Sequence, residues 1–138
     1  MADKIQLLNP PGVAAPLGMY SHIARVPAGE LLFLAGQVAV DSNGKLVGAG
    51  DFEAQLHQVF ENLRVLLQSA GASFKDVVKF NTYLLDAEYI QPLMRARAEL
   101  YPRLFGGGPY PPNTLLIIDR LVREEFLLEI EAVARAPG

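Results

Sequence analysis

The stretch 109–134 constrains the fold of this chain more than any other, because it places two carboxylates inside an apolar strand. Its sequence, PYPPNTLLIIDRLVREEFLLEIEAVA, predicts two strands joined by a short charged connection. Glu129 and Glu131 stand two positions apart, so they project from one face of the second strand. The other face would belong to the core and carries Leu128, Ile130, Ala132 and Ala134. The glutamate face is then either solvated or a cleft in which a carboxylate orients water or acts as a general base.

The composition predicts one domain over residues 1–138 that hides part of its surface in an oligomer. Hydrophobic residues make up 51% of the chain and the mean hydropathy is +0.20, which suits the apolar interfaces of homo-oligomers. No apolar run approaches the roughly 18 residues that span a bilayer, and the start lacks a secretory signal pattern. The net charge of −3 argues against a nucleic-acid partner. We therefore expect a cytoplasmic protein with no membrane partner.

The first 47 residues are predicted to form strands and turns. Strands are predicted at Ile5–Leu8, Tyr20–Val26 and Leu31–Val40. The third is apolar enough to be buried on both faces, and Gly36 inside it indicates a bulge or a close backbone approach. The sequence Asp-Ser-Asn-Gly at 41–44 predicts a hairpin turn, after which 45–47 returns antiparallel.

Two helices and a strand fill the middle of the chain. The first helix should run over Asp51–Ala70, since Asp51 is a good N-cap, Gly71 lies just past its end, and apolar residues recur at three- and four-residue spacing. A strand is predicted over Asp76–Asp86 and a second helix over Glu88–Phe105, which Pro102 should kink or end. The order β-β-β-(β)-α-β-α-β-β predicts an α+β fold with two helices on one face of a mixed sheet.

No metal site or cofactor is predicted. The chain has no cysteine, which excludes disulfides and thiolate chemistry. Its two histidines, His22 and His57, lack the spacing of metal ligands, and His57 is expected to form a surface pair with Glu61. Arg97 stands beside the apolar stripe of the second helix, where it should snorkel or reach a neighbouring subunit. The alternative is that its guanidinium faces a ligand carboxylate.

Four blocks of the sequence resemble the RidA/YjgF family of enamine/imine deaminases, also known as endoribonuclease L-PSP. They are AGQVAVD, NLRVLLQSAG, VVKFNTYLLD and LLEIEAVA, in family order and spacing. The resemblance implies a chorismate-mutase-like α+β fold that forms a homotrimer with three small-molecule clefts between subunits. It also implies hydrolysis of an imine to a 2-keto acid and ammonia.

The resemblance assigns roles to several positions. Glu129 would position the attacking water and Tyr20 would line the cleft. The pair Gly36-Gln37 would lie near the ligand, and the backbone around Leu115 would supply hydrogen bonds to it.

The chain departs from the family pattern at three positions. Where the family has the arginine that binds the substrate carboxylate, this chain has Asn113. Where many members have an asparagine and a tyrosine on the second helix, this chain has Met94 and Arg97. An amide offers only neutral hydrogen bonds, which are about half as strong as charge-assisted ones. Three alternatives follow: Arg97 grips the ligand from elsewhere, the ligand is neutral, or catalysis is lost.

The sequence therefore predicts a trimer that hydrolyses an enamine, an imine or a related C–N bond to a keto product and ammonia. The alternative is a non-catalytic trimer that binds a metabolite or acts as a regulatory scaffold. A ribonuclease is disfavoured, because neither a basic patch nor a histidine pair supports it.

Overall fold

A computed structural model describes residues 4–138, and its elements follow the predicted order. The strands and helices are β1 (Gln6–Leu8), β2 (Ile23–Arg25), β3 (Leu31–Gln37), α1 (Phe52–Ser69), β4 (Val77–Leu84), α2 (Ile90–Phe105), β5 (Asn113–Ile117) and β6 (Leu128–Arg135). The predicted hairpin return after 41–44 is limited to a single bridge between Val40 and Leu46. Within residues 4–138, no helix is long and apolar enough to cross a membrane.

The main sheet has the strand order β3-β6-β4-β5. The strand β6 pairs antiparallel with both β3 and β4, whereas β4 and β5 are parallel. A separate two-stranded ribbon joins β1 to β2. Both helices pack on one face of the main sheet, the helix face, and leave the opposite face, the open face, without a helical layer. The predicted α+β fold with a mixed sheet is confirmed.

The helix face holds the core. In β6 the predicted alternation is confirmed, since Leu128, Ile130, Ala132 and Ala134 are all at most 3% exposed. Residues of α1 cover them with a stripe made of Leu56, Val59, Phe60, Leu63 and Leu67. Burial of each large apolar side chain contributes about 1.5–3 kcal/mol, so this face fixes which way every strand residue points.

The predicted ends of the first helix are confirmed, but one buried polar residue was not foreseen. The Asp51 side chain accepts a hydrogen bond from the Ala54 amide at 3.1 Å, and Gly71 adopts a left-handed φ of 73°. Gln55 is fully buried. Its amide group donates to the carbonyls of Gly48 and Glu125 and accepts from the Leu127 amide, at 2.9–3.0 Å. Gln55 thereby ties α1 to the segment that leads into β6.

Three local predictions were wrong. The strand β3 is not buried on both faces, because it lies at the sheet edge and its open face is uncovered, so Phe33 is 76% exposed. Pro102 does not end α2, which continues to Phe105, since a proline in the last turn removes little of the hydrogen-bond ladder. His57 lies 3.9 Å from Glu53, while Glu61 instead pairs with Arg64.

Candidate functional site

Glu129 lies in the middle of the open face, between β3 and β4. It stands opposite Tyr83 in the antiparallel register of β4 and β6. On its other side is Gly36, where the pairing of β3 with β6 shifts register. A Cβ atom at position 36 would overlap the Oε1 atom of Glu129 and lie 2.7 Å from its Cδ. The predicted bulge and close approach at Gly36 are thus both present, and the approaching group is the candidate catalytic carboxylate.

Glu131 lies on the same face but is held by two neighbours. Its Oε1 atom accepts hydrogen bonds from the Tyr83 hydroxyl and from the Asn81 amide, the latter at 3.2 Å. The hydrogen bond to Glu131 is the main cause that raises the pKa of the Tyr83 phenol above its usual value. Glu131 is therefore a structural partner of β4.

The Glu129 carboxylate, by contrast, accepts no hydrogen bond from any residue in 4–138. Partial burial raises the pKa of the Glu129 carboxyl above its usual value, and the nearby charge of Glu131 raises it further. A half-buried carboxylate with free acceptor atoms and a raised pKa is suited to binding a water molecule and taking its proton.

Asn113 and Arg97 lie on the helix face and form a network with Thr82. The Thr82 hydroxyl donates to Asn113 Oδ1 at 2.7 Å. The Arg97 Nη2 group donates to Thr82 Oγ1 at 3.0 Å and reaches Asn113 Oδ1 at 3.4 Å. Arg97 is only 4% exposed, so within the chain it does not snorkel to solvent. Its stem instead packs in the layer between α2 and the sheet, with Cζ 5.5 Å from the centre of the Tyr101 ring.

The chain does not bring this network to Glu129. The two lie on opposite faces of the sheet, since Asn113 pairs with Phe80 while Glu129 pairs with Tyr83. The two positions are separated by three residues along the strands and by two strand spacings across the sheet. At ordinary sheet spacings this is a distance of roughly 14 Å. One small ligand could therefore not contact both Glu129 and Asn113 of the same chain.

Tyr20 lies in the connection between β1 and β2. Its hydroxyl accepts a hydrogen bond from the Leu17 amide at 3.2 Å, and its ring meets His22 edge to face at 5.9 Å. The His22 Nε2 atom lies 2.7 Å from the Ala14 carbonyl oxygen. Nothing joins Tyr20 to Glu129 by a hydrogen bond within the described chain, so Tyr20 is held by its own loop.

The remaining predicted positions lie at the two edge strands of the sheet. Gln37 ends β3, and its amide donates to the Ala35 carbonyl at 3.1 Å. Leu115 lies in β5 opposite Thr82, with its side chain packed against the core. Because β5 is an edge strand, alternate backbone groups along it have no partner in the sheet and can bind a ligand.

Two features of the site were missed by sequence reasoning. The alternation of β4 places Thr82 on its buried side, yet nothing in the spacing shows that it would link Asn113 to Arg97. The holding of Glu131 by Asn81 and Tyr83 was likewise unforeseen, although both residues are on the face of β4 opposite Thr82. Among residues 4–138, no three histidine, aspartate or glutamate side chains gather in a way that could hold a metal ion.

Comparison with known proteins gives concordant matches over nearly the whole chain. The sequence profile described as Endoribonuclease L-PSP matches residues 12–136. A RutC family protein of Pyrococcus horikoshii is 34% identical over 119 residues, covering 86% of this chain and 88% of that protein.

Two solved structures resemble the fold. A Rid-family protein of Yersinia pestis superposes with a TM-score of 0.83 at 32% identity, over 96% of this chain and 98% of the other. RidA of an Antarctic Psychrobacter species gives a TM-score of 0.65 at 29% identity, over 94% and 98%.

Proposed function

Because this chain belongs to the RidA/YjgF family, the endoribonuclease L-PSP family, we propose that it is a hydrolase of imine or enamine C–N bonds. The products are a carbonyl compound and ammonia. The observation that supports this most directly is Glu129: a half-buried carboxylate on the open face with a raised pKa and no hydrogen bond to the rest of the described chain.

The proposed chemistry needs one base and one water. Glu129 accepts a hydrogen bond from water and takes its proton as the oxygen adds to the carbon of the protonated imine, which gives a neutral carbinolamine. The protonated carboxyl then gives this proton to the nitrogen. As the C–N bond breaks and ammonia leaves, the Glu129 carboxylate takes the proton of the hydroxyl group, the carbonyl forms, and the proton is released to solvent or ammonia. A pKa raised above the usual value of a glutamate suits both steps, because the same group must accept and then donate the proton. Gly36 contributes by leaving room for the carboxylate.

We further propose that the functional unit is a homotrimer with its ligand sites between subunits. The open face exposes large apolar side chains, with Phe33 at 76% and Leu31 at 45%. These residues also line a groove of about 420 Å³ between β3 and α1. Exposed apolar patches of this kind mark interaction surfaces. A neighbouring subunit over this face would bring the Asn113 side of one chain toward Glu129 of another.

The second candidate is a non-catalytic trimer that binds a metabolite. Asn113 favours it, because the family's arginine position holds a neutral amide that is fixed in a network with Thr82. Met94, in place of a common asparagine, removes another polar group. In this case Tyr20, Gln37 and the backbone near Leu115 would bind a ligand that the protein does not convert.

The test is ammonia and pyruvate release from 2-aminoacrylate generated enzymatically, whose imine tautomer reacts with water to give those two products. The protein should accelerate release above the spontaneous rate, and Glu129→Gln should reduce the acceleration by about 10²- to 10⁴-fold. Glu131→Gln is the matched control: Glu131 is already held by β4, so this variant should shift the pH profile through the Glu129 pKa but cause no loss of that size. No acceleration by the wild-type protein would leave the metabolite-binding candidate.

A further inference from the structure

Arg97 is a buried cation without a counter-ion in the described chain. It makes no ion pair with any residue of 4–138, and its Nη2 group is bound only to neutral oxygens. Its Nε atom is buried and has no hydrogen-bond partner among residues 4–138. Burying an ion without a partner costs several kcal/mol. An anion brought close to Arg97 would therefore be stabilised by a charge that the fold leaves uncompensated.

The network around Arg97 also fixes the orientation of the Asn113 amide. Its Oδ1 atom accepts from the Thr82 hydroxyl and from Arg97, so the oxygen faces the core. The Nδ2 group carries two N–H donors and has no partner in residues 4–138. Asn113 is half-buried at the start of the edge strand β5. Its donors are consequently left for a ligand.

We propose that Arg97 and Asn113 form one anion subsite in which contact and charge are supplied by different residues. The Asn113 Nδ2 group donates to an oxygen of a carboxylate, and Arg97 provides the positive charge from behind it. Thr82 is a positioning residue that holds the amide in this orientation. The subsite rests on the proposed function in that it binds the carboxylate of an imino acid or of its keto product.

The electrostatic energy is large enough for Arg97 to favour an anion that it does not touch. At an effective dielectric constant of about 20, a unit charge about 6 Å away favours an anion over a neutral group by roughly a hundredfold, and solvent screening reduces this to about tenfold. A direct arginine contact would add the charge-assisted hydrogen bond itself. The subsite should thus prefer anions, but less strongly than one with an arginine on the strand.

The test compares the binding of pyruvate and of its neutral amide, pyruvamide, by NMR titration of the ¹⁵N-labelled protein. Wild type should bind pyruvate about tenfold more tightly. Arg97→Met should abolish this preference, whereas Arg97→Lys should keep part of it. Thr82→Val should weaken both ligands and still leave a preference for pyruvate, because it releases the Asn113 amide and the Arg97 guanidinium but keeps the charge of Arg97. Arg95→Met, which removes an exposed arginine of the same helix, is the matched control and should behave as wild type.

Equal binding of the two ligands to the wild-type protein would overturn the subsite without recourse to any variant, and so would a pyruvate preference that survives Arg97→Met. The proposed function fails separately, if 2-aminoacrylate hydrolysis is not accelerated while the Arg97-dependent preference for pyruvate remains. Accelerated hydrolysis that does not depend on Arg97 would instead support the proposed function and contradict the proposed subsite.

Discussion

The two faces of the main sheet each carry a charged group without an opposite charge beside it, but the two groups differ in burial and in hydrogen bonding. On the helix face, Arg97 is 4% exposed and its hydrogen bonds go to the neutral oxygens of Thr82 and Asn113. On the open face, Glu129 is half-buried and its carboxylate accepts no hydrogen bond from the described chain. The sheet itself separates the two groups. The cation is held rigidly in a closed layer, whereas the carboxylate is left accessible to water.

The largest expected difference between the faces is in stability. Ile130→Ala removes a fully buried side chain from the helix face and should lower the free energy of unfolding by about 2–5 kcal/mol. Glu129→Ala, one position earlier on the open face, should change it by at most about 0.5 kcal/mol. Urea denaturation at one fixed protein concentration measures both. Similar losses for the two variants would show that the open face is as tightly packed as the helix face.

A smaller effect should distinguish hydroxyl groups on the two faces. Thr82→Val keeps the shape but removes the buried hydroxyl that bonds to both Asn113 and Arg97, which should cost about 1–3 kcal/mol. Thr114→Val removes an exposed hydroxyl on the other face that accepts from Lys79, and it should cost at most about 0.5 kcal/mol. Equal costs in the same denaturation experiment would mean that the Thr82 network does not hold the helix face together.

These contrasts also show what the sequence could and could not reveal. The alternation in β6 separated core residues from glutamates, because every second residue of a strand shares a face. The glycine that interrupts β3 indicated a close approach, and Glu129 is the group that approaches Gly36. The contact of Arg97 with Thr82 and Asn113 could not be read in this way, because it joins three elements through tertiary packing. Gln55 was missed for a related reason: it is polar but sits in an apolar stripe, where its partners are backbone groups of distant loops.

Gly36→Ala should separate the effect on function from the effect on stability. The added methyl group would overlap the Oε1 atom of Glu129 and lie 2.7–2.8 Å from its Cδ and Cγ atoms, but this side chain is flexible and can rotate away as a whole, so the free energy of unfolding should change by less than about 1 kcal/mol. The carboxylate would nevertheless leave its position, and 2-aminoacrylate hydrolysis should fall by about tenfold or more.

A double-variant cycle tests the cause of that loss. In a Glu129→Ala background the clash is absent, so Gly36→Ala should have no further effect on stability. A stability loss of the same size in both backgrounds would mean that the alanine disturbs the bulge of β3 and not the carboxylate.

The smallest expected effect is the pH dependence of stability that comes from Glu129. Partial burial and the charge of Glu131 raise the pKa of the Glu129 carboxyl in the folded protein. Between its unfolded pKa and this higher folded pKa the native state binds more protons, so the stability that Glu129 contributes falls as pH rises through that window. Glu129→Gln removes the titrating group and should gain stability relative to wild type as pH rises.

The same pKa should set the acidic limb of the activity profile, since the base must be ionised. An NMR titration of the Glu129 side chain tests both expectations. A pKa at or below the ordinary value for glutamate would contradict them. It would also contradict the contrast between Glu129, which is partly buried and free to bind water, and Glu131, which β4 holds.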